Sequence, residues 1–555
     1  MKNSKLPYLN SKLQAPSSRE TSSSKLEISG TMRRNLFGFW ILELLCSLGL
    51  GAWGFSRRAS SPRLQSWRNR GESASTFVIV LWIAFGLVSM ALYFGSSMSS
   101  ELRASDNRVS ALAAEQSIEG AARYVNYILA NQPTNGYLPD LTTYVSEAGQ
   151  IGDSHFWLIG RDTNSTITGI APTEVTFGLV DESSKLNLNS ASSNMLVSLM
   201  EALPRANQDL ATAILDWRDT NGGVVYQTYY ATRPQPYQSK NGPFESIDEL
   251  RLLYGGDTDT LVGEDRNRNG ILDPNETDSN HNGQLEPGVL EYVTVFSREP
   301  NTYSNGTPRI SLRGVTDTGP LAQLMRSVLG STKADQALRG MGLLTTGGNG
   351  GRGGNGGNGG QGGSGGQGSN GVGGNGQGGN GGTPPKNYAS PLQFFIDTKG
   401  ALTADDFAQI ADAITTLPTT NSYINGRINI NTASPEVLAS LPGISDTPDL
   451  AQTLVSYRQS NPDKLGSIAW LADALNKNNS TLAALATNDC ITVRSYQFSA
   501  DIAAVGPNGR GYHRTRFIFD TADGYPKIVY RQDLTQLGWA LGRHVRQNWL
   551  AKANR

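Results

Sequence analysis

Two apolar stretches, residues 36–55 and 76–95, dominate the hydrophobic pattern at the start of the chain. The second stretch carries no charged residue, and it is long enough to cross a bilayer as a helix at about 1.5 Å per residue. Beyond it, apolar residues recur at helical spacing as far as Leu129. We therefore predict one continuous helix over residues 72–130, which spans a membrane at 76–95 and packs on a sheet further along.

A group of arginines precedes the second stretch and orients it. They are Arg57, Arg58, Arg63, Arg68 and Arg70. Positive charge holds its end of a span in the cytoplasm, so the bulk of the chain is expected across the membrane. Residues 36–55 cannot also span under this rule. We interpret residues 1–71 as a leader or a mis-assigned start; the alternative is a genuine extra anchor at 36–55.

A Gly-rich segment at residues 347–386 divides the remainder of the chain. It has too little apolar surface to order itself, so we predict a flexible linker, with a repetitive ordered form as the alternative. The sequences on its two sides resemble each other in three successive elements. The matching pairs are 185–192 with 427–434, 213–219 with 453–459 and 244–250 with 465–471.

Each copy starts with a strand pattern, a serine at a helix N-cap and an apolar helix, the caps being Ser192 and Ser434. We predict duplicated helix-hairpin-helix-like modules over 185–346 and 387–485. Such folds often bind nucleic acid, which requires Lys and Arg around the hairpin. The hairpin at 441–450 carries Asp446 and Asp449 instead, and the chain has a net charge of -1. We expect the modules to make protein contacts, with no nucleic-acid partner.

A calcium-type loop occupies residues 265–276, inside the first module. Oxygen-bearing side chains stand at positions 1, 3, 5, 9 and 12 of the loop, Gly270 at position 6 allows the sharp turn, and position 7 supplies a backbone carbonyl. The predicted ligands are Asp265, Asn267, Asn269, Ile271, Asp273 and Glu276. No catalytic base or nucleophile accompanies them, so we expect a structural Ca²⁺ ion.

A second copy of the pattern follows at once, completing a calcium region over 265–291. Its candidate ligands are Asp278, Asn280, Asn282, Gln284 and Glu286. Position 12 is Val289, and Glu291 could replace it only in a stretched loop. The alternative is a solvated asparagine-rich loop.

The last part of the chain, residues 486–555, alternates apolar and polar residues as antiparallel strands do, over 491–505, 514–520 and 527–533. Together with residues 131–184, these strands are expected to cover the apolar stripe of the N-terminal helix. The patterns predict an α+β fold, in which a long helix packed on an antiparallel sheet is interrupted by a large helical insertion.

Catalytic chemistry finds no support in the pattern. The four histidines are scattered, and we find no triad, zinc spacing or phosphate loop, so we predict that the protein is not an enzyme. The two cysteines, Cys46 and Cys490, make a disulfide framework improbable.

Several motifs together resemble the minor pseudopilin K family of type II secretion systems. They are the Arg70-Gly71 step and residues 113–122, 177–189, 214–219, 243–250 and 428–434. The resemblance implies a pilin-like fold and a place at the tip of the pseudopilus with minor pseudopilins I and J and other pseudopilins. It implies a single-pass inner-membrane protein with its bulk in the periplasm, calcium in the helical insertion, and contact with secreted proteins.

The same resemblance implies cleavage by a prepilin peptidase between Gly71 and Glu72, with methylation of the new terminus. Two departures accompany it. Glu72 stands where pilins usually have an apolar residue, and the fifth position after the cut is Thr76 rather than glutamate. A rival hypothesis is a membrane-anchored periplasmic binding module, used for example in DNA uptake.

Overall fold

The computed structural model describes most of the chain beyond the first apolar stretch. The described residues are 72–163, 174–222, 225–303, 306–344, 384–447, 449–475 and 480–553. The predicted leader with its apolar segment 36–55, and most of the Gly-rich linker, lie outside them. The chain divides into two compact units, Met1–Leu92 and Tyr93–Arg555.

The first helix, α1, runs without a break from Glu72 to Ala130 and confirms the predicted continuous helix. Among the described residues, it alone is long and apolar enough to be a candidate membrane span, with a window of mean hydropathy 2.4 that has none of its residues buried. Large apolar side chains stay exposed as far as Leu112, and the helix becomes buried from Ala114 to Leu129. The second half of the helix therefore packs on protein, as predicted.

Fourteen strands occur among the described residues, most of them short. They are β1 Gly149–Ile151, β2 Ser154–Ile159, β3 Val180–Asp181, β4 Leu186–Asn187, β5 Val293–Thr294, β6 Arg298–Pro300, β7 Ile310–Ser311, β8 Ile414–Thr415, β9 Tyr423–Asn425, β10 Ile428–Asn429, β11 Ile491–Thr492, β12 Gln497–Val505, β13 Tyr512–Asp520 and β14 Lys527–Asp533. Five of them form an antiparallel sheet in the order β1-β2-β12-β13-β14, and β3 also pairs with β12.

The sheet separates two sets of buried residues, because side chains alternate between its faces. Phe498, Ala500 and Ile502 of β12 pack with the buried stripe of α1. Ala503 and Val505 belong to a second apolar cluster that includes Ile271 of the predicted calcium loop. The loop is thereby placed in contact with the sheet.

The predicted strand at 491–505 is wrong as a single element. Residues 491–492 form β11, which pairs in parallel with β10 near the helices, and β12 begins only at Gln497. Ile491 and Val493 are buried in the helical core, whereas Phe498 packs against α1. A continuous strand could not serve both cores, so the chain turns between them.

Thirteen further α-helices occur among the described residues. They are α2 Ser193–Ala202, α3 Asp209–Arg218, α4 Gln227–Ala231, α5 Thr258–Val262, α6 Pro320–Leu329, α7 Ser331–Gly340, α8 Pro391–Asp397, α9 Ala404–Ala411, α10 Pro435–Ala439, α11 Asp449–Ser460, α12 Trp470–Ala474, α13 Ser480–Ala486 and α14 Gly542–Ala553. The last of these lies in the C-terminal segment, for which only strands were predicted.

The helices before and after the linker share one hydrophobic core. Leu196 of α2 and Val437 of α10 are both fully or almost fully buried in it. Lys386, at the end of the predicted linker, already pairs with Val315 across the linker in an antiparallel bridge. The two predicted modules therefore pack as one helical part rather than as two tethered domains.

The two segments that resemble each other make matching local bonds. Ser192 Oγ and Ser434 Oγ each accept the N–H three residues ahead, as predicted for N-caps. Two arginines also make matching bonds to backbone carbonyl oxygens: Arg218 donates to Leu188 and Ala191, and Arg458 donates to Ile430 and Ala433.

Candidate metal centre

Two residues, Gly263 and Glu264, separate α5 from the first predicted loop, and Gly263, the C-cap of α5, has a φ of 66°. Four of its candidate ligand side chains are buried, with exposures of 7% or less: Asp265, Asn267, Asn269 and Asp273. Ile271 is buried in the apolar cluster on the far face of the sheet. The loop is therefore a folded part of the protein and not a solvated asparagine-rich segment.

The acidic side chains of this loop hold its backbone. Asp265 Oδ1 accepts the N–H of Asn269 at 2.9 Å, and Asp265 Oδ2 accepts that of Gly270 at 2.8 Å. Glu276 uses both oxygens in the same way, for the N–H groups of Asn267 at 3.1 Å and Asp273 at 3.0 Å. The first and last positions of the loop are thereby joined to its interior.

Asp273 Oδ2 accepts hydrogen bonds from two side-chain amides, Asn267 Nδ2 at 2.7 Å and Asn269 Nδ2 at 2.9 Å. Asn267 Oδ1, in contrast, is buried and accepts no hydrogen bond. Burial of a polar oxygen without a partner is unfavourable, and a bound cation would satisfy it.

The chemistry of the donors fits a hard cation such as Ca²⁺, since all of them are oxygens. Burial raises the pKa of Asp265 and also that of Glu276. Among the described residues, no group of three or more His, Cys, Asp or Glu side chains converges as a metal cluster. The three carboxylates of the loop therefore do not converge in this structure, and those of Asp265 and Glu276 instead accept backbone N–H groups.

The second predicted loop repeats the conformation of the first. Asp278 Oδ2 accepts the N–H of Gly283 at 2.8 Å, which lowers the pKa of Asp278. Asn282 Oδ1 accepts the N–H of Gln284 at 2.7 Å. The backbone enters the left-handed region at matching positions, with φ of 55° and 57° at Arg268 and His281 and of 82° and 71° at Gly270 and Gly283.

The two loops differ at position 12. Val289 occupies it in the second loop and is fully buried in the helical core. Glu291, the alternative ligand, is held by Arg161, whose Nε lies 2.6 Å from Glu291 Oε1. Asp278 Oδ1 is buried without a partner, although Asn280 and its neighbours are exposed. The second loop therefore lacks a carboxylate at the position that binds with both oxygens.

Glu264 joins the two loops, and sequence reasoning missed it. This residue is 3% exposed and precedes the first ligand. Its Oε1 accepts the N–H of Ser279 at 2.8 Å and pairs with Arg205 at 2.7 Å, and its Oε2 accepts the N–H of Glu286 at 3.3 Å. Arg205 also pairs with Glu286 at 3.1 Å. The calcium-loop pattern begins at Asp265 and has no position for the preceding residue, so it could not have identified Glu264.

The predicted cleavage site is only half described. Gly71 lies outside the described residues, and Glu72 is the first residue of α1.

Cys490 is a free cysteine, and burial raises the pKa of its thiol to about 12.

Two family models, both described as type II secretion system protein K, match residues 178–262 and 428–488. The first match ends at α5, just before the first predicted loop, and the second covers β10 to α13. No curated protein matches the chain. A solved structure, the GspK-GspI-GspJ complex from the type 2 secretion system of enterotoxigenic Escherichia coli, is similar over 78% of this chain and 99% of that chain, at 11% identity.

The TM-score of that likeness is 0.32, which does not by itself establish a shared fold. The two family models match the segments on either side of the linker that resemble each other, including Asn187 and Asn429 in their short strands. These two matches support the resemblance of the chain to the protein K family of the type II secretion system.

Proposed function

We propose that the protein is a minor pseudopilin at the tip of the type II secretion pseudopilus, where it assembles or caps the filament that exports folded proteins across the outer membrane. One observation carries the proposal. After the apolar run ends at residue 95, α1 still exposes apolar side chains that no other described part of the chain covers. They are Met98, Leu102, Val109 and Leu112, with exposures between 59% and 68%.

Exposed apolar side chains in a row along a helix mark a contact surface. In a filament of pilin-like subunits, such a row packs against the helices of neighbouring subunits. The expected neighbours are minor pseudopilins I and J and other pseudopilins. Contact with secreted proteins is part of the same proposal.

The same function requires processing at the start of α1. We propose that prepilin peptidase cuts between Gly71 and Glu72 and that the new terminus is methylated, which leaves a single-pass inner-membrane protein with its bulk in the periplasm. The absence of a glutamate at the fifth position, Thr76, suits a subunit that has no further subunit above it.

The test is the N-terminal sequence and intact mass of the membrane-extracted protein, from cells with and without the peptidase. A start at Glu72 with a methylated amine, lost when the peptidase is absent, supports the proposal. An uncut chain that begins near Met1 contradicts it and favours the permanently anchored binding module.

We further propose that the helical part is a duplicated pair of helix-hairpin-helix-like modules inserted into a pilin-like fold. The matching serine caps and the matching arginine bonds of Arg218 and Arg458 support the duplication. Asp446 and Asp449 at the second hairpin disfavour phosphate binding, so a role in DNA uptake finds no support there.

Finally, we propose that a structural Ca²⁺ ion occupies the first loop, with Asp265, Asn267, Asn269, Ile271, Asp273 and Glu276 as its ligands. Bound there, the ion would neutralise buried negative charge and satisfy the buried oxygen of Asn267. The second loop is proposed as a weaker site, held by Asp278, Asn280, Asn282, Gln284 and Glu286.

A further inference from the structure

The first loop is fastened to the sheet by a buried arginine. Arg514 lies on β13, and none of its side chain is exposed. It pairs with Asp501 of β12 through Nε at 2.8 Å and Nη2 at 2.6 Å. Its other bonds leave the sheet: Nη2 donates to the carbonyl oxygen of Arg268 at 2.6 Å, and Nη1 donates to that of Asn267. The guanidinium therefore joins the sheet to two consecutive peptide groups of the loop.

A second arginine binds the same peptide group. Arg161 is the second residue after β2. Its Nη2 donates to the carbonyl oxygen of Arg268 at 3.0 Å. Arg161 is itself held by Glu291 at 2.6 Å. Arg268 has a φ of 55°, a conformation that is unfavourable for a residue with a Cβ. Two donors from the sheet side hold this residue in place.

The held peptide groups belong to positions 3 and 4 of the loop, and Asn267 at position 3 is a proposed ligand. A loop whose backbone is fixed in advance loses less conformational entropy when it binds an ion. Binding free energies are reciprocal, so an ion that favours the docked loop also strengthens the docking by the same amount.

We propose that Arg514 is the positioning residue of the calcium loop, and that calcium in this loop strengthens the attachment of the helical part to the sheet. The inference rests on the calcium site proposed above. The ligand pattern of the loop does not reveal the role of Arg514, because Arg514 and Asp501 lie more than 200 positions further along the chain.

The first test compares Ca²⁺ affinity in the full-length protein in detergent, measured by calorimetry, with that of Arg514→Lys. Lysine keeps the charge but lacks the planar fork that can bond to Asp501 and the loop together. We expect the affinity to fall about tenfold, as for other residues that support metal ligands from behind.

Arg458→Lys is the matched control. Arg458 is also buried and donates to three backbone carbonyls, those of Ile430 at 3.1 Å, Ala433 at 2.7 Å and Thr163 at 3.2 Å, none of which belongs to a calcium loop. Its replacement should lower stability and leave the calcium affinity unchanged. A similar loss of affinity in both variants would mean that Arg514 acts only through general stability, and would overturn the inference.

The second test does not depend on the folding of Arg514→Lys. Hydrogen exchange is measured in the wild-type protein and in Glu276→Gln, with calcium and with chelator. Calcium should slow exchange in β13 as well as in the loop, and only in the wild type. If calcium slows exchange in the loop but not in β13, this inference is wrong and the calcium site itself is unaffected. A wild-type protein that binds no calcium at all overturns both this inference and the calcium site.

Discussion

Glu182 and Arg516 form a buried ion pair, with Arg516 Nη2 2.7 Å from Glu182 Oε1. Glu182 stands where the chain leaves the sheet for the helical part, and Arg516 lies on β13. Lys185 adds a second contact to Glu182 at 3.4 Å, and the Thr294 hydroxyl donates to its other oxygen at 2.5 Å. The entry to the helical part is thus tied to the sheet by charge.

This pair predicts a loss of stability in acid. Burial raises the pKa of Glu182, but Lys185 and Arg516 lower it more, from 4.5 to about 2. A lowered carboxylate pKa stabilises the fold above about pH 4.5, and the effect is lost as the pH falls towards 2. We expect Glu182→Gln to lower the free energy of unfolding by roughly 3 kcal/mol at pH 7 and by almost nothing near pH 2. Urea unfolding at a series of pH values measures this difference.

Glu245→Gln is the control for that experiment, because Glu245 faces Lys240 at 3.4 Å with 85% of its side chain exposed. Exposed pairs contribute little, so this variant should resemble the wild type at every pH. A Glu182→Gln deficit that stays constant from pH 7 to pH 2 would show that packing rather than charge explains it.

The calcium proposal predicts which carboxylate matters. At a free calcium concentration of about 100 times Kd, the wild type should gain about 2.7 kcal/mol of stability. Glu276→Gln should abolish the gain, because it removes the carboxylate at position 12. Glu286→Gln in the second loop should retain most of it. Thermal unfolding with calcium and with chelator measures both, and the reverse ranking would assign the ion to the second loop.

The glycines at position 6 provide a matched pair of substitutions. Both Gly270 and Gly283 have positive φ, so alanine at either position costs about 1 kcal/mol. A Cβ on Gly283 meets nothing within 4 Å, whereas one on Gly270 would lie 3.1 Å from Arg161 Cδ. We expect Gly270→Ala to lower the melting temperature more than Gly283→Ala. Equal losses would show that Arg161 moves aside without consequence.

The exposed stripe of α1 predicts a separation of folding from assembly. Leu102→Asp and Val109→Asp change side chains that are more than 60% exposed, so the fold should remain intact. Binding to minor pseudopilins I and J should be lost, because a charge would enter the helix contact. Co-purification measures binding, and circular dichroism measures folding. Ala121→Asp changes a fully buried residue, and it should instead disrupt the packing of α1 on the sheet and so destabilise the fold.

The Cys490 thiol predicts slow chemical labelling. Its pKa is raised to about 12 by burial, so very little reactive thiolate exists at pH 8. In a Cys46→Ser background, maleimide should react only after denaturation. Rapid labelling of the native protein would indicate local opening between the helical core and β11.

Much of the architecture followed from patterns that are local along the chain. Continuous apolar spacing predicted α1 over residues 72–130, which are the bounds that it has in the structure. Alternation predicted β14 at residues 527–533. Ligand spacing predicted two loops, which have matching conformations. Each of these patterns extends over neighbouring residues, so the sequence carries it directly.

The tertiary structure decided the features that depend on distant residues. It divided 491–505 between two cores, since Ile491 and Phe498 find their apolar partners in different parts of the molecule. It merged the two modules into one helical core and placed Arg514 against Asn267. The sequence alone determined the elements whose pattern runs over neighbouring residues, such as α1, β14 and the two loops. Only packing determined where residues 491–505 divide and which elements meet, because burial and ion pairing join residues hundreds of positions apart.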